Sequence, residues 1–166
     1  VSSSSANAPN SPYEGVSEAL ERFDGQPNGR RAILLISDGL DTTEPSPSQS
    51  LELERAILRA QRKSVAIYSF FTTTNFTENV SNSGISLQAQ GSLQKISDET
   101  GGKAFFQGTL SPVSFDPFFK DLSLLLNRQF ALSYLSTHMK KGFYRVQVLS
   151  SIPDIKIEHP KGYVYR

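Results

Sequence analysis

The chain has 166 residues, a formal net charge of +1 and no cysteine. That length suits one domain with a real core, and a near-neutral charge without a basic block argues against nucleic-acid binding or electrostatic docking on a membrane. The missing cysteines exclude a disulfide framework, thiol catalysis and cysteine-ligated zinc, and the longest apolar run is too short to span a bilayer.

Residues 1–10, rich in Ser, Ala, Asn and Pro, read as a linker or the remnant of a loop. They hold no signal-peptide core and the chain starts without Met, so it is expected to be cut from something longer. Ser11-Pro12-Tyr13-Glu14 predicts a helix start, with Ser11 as N-cap, Pro12 at the first helical position and Glu14 closing a capping box. Val16, Ala19, Leu20 and Phe23 then recur at helical spacing as far as Gly25.

The next segment is the most informative. Ala32 to Ile36 are all apolar, without alternation, which predicts a strand buried on both faces of a parallel sheet. It runs straight into Ser37-Asp38-Gly39-Leu40-Asp41-Thr42. Polar residues at the carboxyl end of such a strand line the crevice where open α/β sheets take ligands. Ser37, Asp38, Asp41 and Thr42 offer hard oxygens, the donor type of a Mg²⁺-like ion.

Pro45 to Ser48 punctuates a loop, and Leu53, Ala56, Ile57 and Ala60 mark a second helix. Residues 65–71 read as a second apolar strand, and residues 72–89 as a long polar loop. Leu93 and Ile96 predict a short helix ending at Gly101-Gly102, Ala104-Phe105-Phe106 a third strand, and Phe115, Phe118, Phe119, Leu122, Leu125 and Leu126 a last, strongly apolar helix. This order argues for a parallel sheet with helices on its faces. After Asn127 the period changes to two: Phe130, Leu132 and Tyr134, then residues 143–149, 155–157 and 162–165, predict a small antiparallel sheet.

Residues 29–42, Val65-Ala66-Ile67-Tyr68 and residues 93–106 together resemble a von Willebrand factor type A (VWA) domain. Phe130-Ala131-Leu132-Ser133-Tyr134 and residues 142–163 resemble the β-rich extension of bacterial VWFA-related proteins. The resemblance implies an α/β fold: a partial doubly wound, Rossmann-like sheet over residues 11–127, then an antiparallel β extension over 128–166. It also implies a metal-ion-dependent adhesion site built from an Asp-x-Ser-x-Ser loop, a Thr of a second loop and an Asp after a later strand. Asp38 matches that last Asp; the second-loop position falls at Asn10 or Ser11, and the Asp-x-Ser-x-Ser loop is absent. By resemblance, then, Asp38 with Ser11 or Asn10 are the metal candidates, and Ser37, Asp41 and Thr42 stand around them. Mg²⁺, or Mn²⁺ or Ca²⁺, is implied for an intact parent domain; one carboxylate and one neutral oxygen would hold it weakly in this chain.

Each candidate has a plainer role beside the functional one. Asp38 fits an Asx turn, Ser11 a helix cap, and Asp41 and Thr42 a turn. The phenylalanines of the last helix read first as core. The tripeptides at 75–77 and 79–81 match the N-glycosylation pattern by chance, in a loop whose residues 72–86 face the ligand edge and suit recognition. His138 and His159 read as solvated loop residues in the antiparallel third, and no Gly-x-Ser-x-Gly elbow, P-loop or dinucleotide fingerprint occurs. The expectation is a non-enzymatic module that binds another protein through the loops at the carboxyl ends of its parallel strands, outside the cytoplasm. The alternative is a structural scaffold whose antiparallel sheet mediates assembly and whose metal site is vestigial.

Overall fold

A computed structural model describes residues 10–26, 29–43, 50–73, 83–107, 112–130, 132–138 and 140–165. The loop at 44–49, the two glycosylation-pattern tripeptides and residues 1–9 lie outside these.

Three parallel strands form the centre: β1 (Ala32–Ser37), β2 (Ala66–Phe71) and β3 (Ala104–Phe105), in the order β1-β2-β3. The middle strand is buried along almost its whole length, as its mostly apolar Ala-Ile-Tyr-Ser-Phe-Phe run leads one to expect, and Ser69 is buried with it. Helices α1 (Pro12–Glu21), α2 (Leu51–Lys63) and α3 (Ser83–Thr100) contribute Tyr13, Val16, Leu20, Leu53, Ala56, Ile57, Ala60 and Ile96 to one core, joined by Ile67, Ile33 and Leu35. The other sheet face, carrying Tyr68, Phe70 and Phe105, is covered by α4 (Asp116–Asn127). Phe115 stacks on Phe70 while Phe118 and Phe119 meet it edge-on, with ring centroids between 5.1 and 5.9 Å, so the aromatic helix does serve as core.

Four expectations from the sequence are corrected. First, β1 is not buried on both faces: its residues alternate between exposed and half-buried, and Ile36 keeps half its surface in water. Within the described residues β1 stands at the sheet edge, and α4 does not reach over it. Second, α3 starts far earlier than the Leu93–Ile96 signal, so the last part of the supposed polar loop, residues 83–89, is helix. Its buried face there is small, Ser86 and Ala89, which no hydrophobic pattern advertises. Third, α1 has Ser11 as N-cap and Pro12 at its start, but no side-chain cap bond forms and the capping box with Glu14 is absent.

The fourth correction concerns the C-terminal third. Its antiparallel sheet is real but consists of β4 (Gly142–Arg145) and β5 (Gly162–Tyr165) alone. Residues 130 and 132–138, and 155–157, run without regular pairing. Phe130, Leu132 and Leu135 are 93, 75 and 94% exposed. Alternation gave them the right period for strands, yet among the described residues no layer covers the apolar side that would fix them. The extension is tied down at β5, where Lys161 N donates to Glu99 O at 3.2 Å, and Pro160 lies so close to Gly101 (φ +80°) that a side chain there would collide. His138 is more than a solvated loop residue: its ring stacks on Tyr144 at 3.8 Å and its Nδ1 lies 3.0 Å from the Tyr163 hydroxyl. His159 Nε2 accepts from Val148 N at 3.3 Å.

Candidate functional site

The carboxyl end of β1 and the leading ends of α1 and α2 meet at one point, and the point is Asp41. Its side chain is buried, with 3% of the residue surface exposed. Oδ2 accepts from Ser11 Oγ at 2.9 Å and from Ser50 Oγ at 2.5 Å; Oδ1 accepts from Thr43 N at 3.0 Å and Thr43 Oγ1 at 2.5 Å. Ser11 and Ser50 are the N-caps of α1 and α2. One carboxylate therefore sits at two helix N-termini, where the backbone dipoles favour negative charge. Ser50 relays the interaction, since its Oγ also accepts from Leu53 N at 3.1 Å. Ser11 donates its hydroxyl proton to Asp41 and, unlike Ser50, makes no side-chain bond to the backbone of its own helix.

Asn10 and Thr42 make a second clasp beside the first. Thr42 N donates to Asn10 O at 3.0 Å, Asn10 N donates to Thr42 Oγ1 at 2.7 Å, and the Thr42 hydroxyl returns to Asn10 O at 3.0 Å. Asp38 and Ser37 shape the turn between: Leu40 N donates to Asp38 Oδ1 at 3.2 Å, and Gly39 N donates to Ser37 Oγ at 3.0 Å. Asp38 thus does form the Asx turn allowed by the sequence. The structure gathers Asn10 and Ser11 with Thr42 and Asp41, 32 and 30 positions away, into one cluster, and sets Asp38 and Ser37 in the same loop.

Below the loop, the Tyr13 hydroxyl donates to Gly39 O at 2.7 Å. Burial pushes the Tyr13 pKa far above the ordinary tyrosine range, and the nearby Asp41 and Asp38 charges push it the same way against the opposing bond with Ser92. The phenol therefore stays protonated, a permanent donor. Tyr13→Phe leaves the buried Gly39 carbonyl without that donor and is expected to cost about 1–2 kcal/mol in a denaturant melt.

Three residues here have no part in the sequence reading: Tyr13 as loop anchor, Ser50 as cap and Asp41 partner, and Thr43. For Ser50 the signal was present, a serine followed by Glu52 and Glu54 in the first helical turn. For Tyr13 none was, because a tyrosine near a helix start looks like any core residue.

The donor set can be tested for a divalent ion. Only Asp38 and Asp41 among the candidates carry charge, and Asp41 already accepts four bonds that fill the directions a ligand needs. Among the described residues no three His, Asp or Glu side chains gather around one point. These residues do not fit a tightly held Mg²⁺, which asks for near-octahedral oxygens. They fit a loop locked in place by its own hydrogen bonds. No described helix is long and apolar enough to cross a membrane. No protein-family model, curated protein or solved structure matches the chain.

Proposed function

We propose that the chain is a VWA-like, non-enzymatic protein-binding module, doubly wound in the Rossmann-like sense, that recognises a partner protein at the carboxyl edge of its parallel sheet outside the cytoplasm. The observation that carries this reading is the Asp41 knot. It fixes the 38–43 loop against two helix N-termini while Thr42 and Thr43 stay exposed at the rim. Recognition loops held by a rigid scaffold lose little entropy on binding. In a longer parent carrying an Asp-x-Ser-x-Ser loop, Asp38 would be the ligand this part supplies to Mg²⁺, with Ser11 or Asn10 as its neutral neighbour.

A second reading is favoured by a different observation. The extension exposes Phe130, Leu132, Leu135, Leu149 and Ile152, each more than 60% open to water. This many exposed apolar residues in one part of the chain suit assembly into a larger complex, with the metal site vestigial.

One experiment separates the two. The chain is used to select binders from a random-peptide display library, in Mg²⁺ and in EDTA, and the bound peptides are mapped by amide chemical shifts. Binding through the loops predicts shifts at residues 38–43 and a loss of about tenfold in affinity, near 1.4 kcal/mol, for Asp38→Ala. Shifts confined to residues 130–165, with Asp38→Ala neutral, move the function to the extension. Calorimetric titration of Mg²⁺ into wild type and Asp38→Ala tests the metal separately, and equal heats from both remove Asp38 as a ligand.

A further inference from the structure

Asp41 ties the leading ends of α1 and α2; between their other ends lies a cleft of about 440 Å³, a volume in the range of small-molecule sites. Its walls and floor are all described residues, on two helices packed against each other. The floor is the buried pair Ser17 and Leu20 of α1. One wall is acidic, Glu21 with Asp24 just beyond the helix; the opposite wall, on α2, is Arg59, Arg62 and Lys63.

The charges across the cleft do not cancel. Arg59 pairs with Glu21 at 3.6 Å, and Lys63 pairs with Asp24. Arg62 makes no hydrogen bond or ion pair among the described residues. Three bases against two carboxylates leave one positive charge over. The dipole of α2 accounts for bases in its last turn, but not for the hydroxyl beneath them. Ser17 is 5% exposed and its Oγ has no hydrogen-bond partner among the described residues, not even the carbonyl four residues back that a helical serine can reach. Buried hydroxyls are ordinarily bonded, and leaving one unmade is costly.

We propose that this cleft binds a small organic oxyanion, its carboxylate or phosphate head held by Arg62 and Arg59, with the Ser17 hydroxyl as neutral donor and the body of the ligand over Leu20. A guanidinium presents a planar fork of donors that matches either head. Arg59 is available because its pair with Glu21 is long and both side chains are largely in water, where such pairs contribute little. One anionic head also uses up the one uncompensated charge. A cationic ligand would add to it.

The probes are phenyl phosphate, benzoate and inorganic phosphate, titrated at constant ionic strength against a sodium chloride control and read by chemical shifts. Phenyl phosphate or benzoate is expected to shift residues 17–24 and 59–63 saturably, and chloride is not; the tighter of the two identifies the head. Inorganic phosphate, with no body to cover Leu20, is expected to bind more weakly than phenyl phosphate, and equal binding overturns the organic ligand. Arg62→Gln should weaken binding about tenfold, the loss of a charged hydrogen bond, without lowering the melting temperature. Ser17→Ala should weaken binding too, yet raise the melting temperature, because it removes an unbonded buried hydroxyl. A serine that serves packing alone would give a less stable variant with unchanged binding, and that result overturns the proposal. So does the absence of saturable shifts at these residues with every probe. The cleft is at the opposite helix ends from residues 38–43, so neither result depends on what the loop binds.

Discussion

Replacing Asp41 with alanine is expected to lower the unfolding free energy by about 3–5 kcal/mol, because a buried, charged acceptor bonded to several donors is among the costliest groups to remove. Three elements lose their common tie at once: the turn at 43, the start of α1 through Ser11 and the start of α2 through Ser50. Asp41→Asn keeps the volume and the hydroxyl contacts, which can rotate, so it should cost about 1–2 kcal/mol. Urea unfolding of the three proteins checks both figures, and an alanine variant as stable as wild type would show that the knot holds nothing.

The same residue sets an acid limb. Burial alone would raise the Asp41 pKa, but the hydrogen bonds from Ser50, Thr43 and Ser11 outweigh it and hold the carboxyl below its ordinary value. With the folded pKa depressed, the ionised group contributes stability above the unfolded value of about 3.9, and that contribution fades as pH falls through the folded value. Wild type should therefore lose stability from about pH 4 downward more steeply than Asp41→Asn, whose residue 41 does not titrate. Parallel acid limbs for the two proteins would assign the loss to other carboxylates.

Gly39→Ala is expected to destabilise by about 3 kcal/mol or more, since two separate costs fall on one methyl group. Gly39 has φ +73°, where an L side chain is strained. A Cβ placed there would lie 2.5 Å from Ala89 O and 2.8 Å from Leu93 Cγ, both on α3. Backbone cannot give way as a long side chain does, so α3 must move off the loop or the loop must lift off its support. Lifting also pulls Gly39 O from the Tyr13 hydroxyl. The damage should be visible twice: in a lower melting temperature, and in faster amide exchange over residues 38–43 than in Tyr13→Phe. An exchange pattern like the wild type's would mean that α3 absorbs the methyl group without loss.

Local pattern by itself determined much here. The apolar runs at 32–36 and 65–71, the second holding one serine, marked parallel strands, the i, i+3, i+4 rows marked α1, α2 and α4, and Pro12 marked where α1 begins, because these signals depend on backbone stereochemistry and periodicity alone. The polar loop after β1 was legible for the same reason: carboxylates and glycine ending a hydrophobic run must turn away from the core.

What the tertiary structure decided were the partners. Ser11 stands where Glu14 could close a capping box, yet the bond its side chain makes is to Asp41 thirty residues away, because packing brings that buried charge within reach of its hydroxyl. Ser86 and Ala89 are buried on α3, and Ala89 is small where Gly39 comes close to its backbone. An apolar strand reads the same whether both faces are covered or one, and alternation after Asn127 reads as sheet whether or not a layer lies over it. Burial belongs to the neighbours as much as to the residue, so the sequence marked which surfaces seek cover and only the assembled fold settled which of them found it.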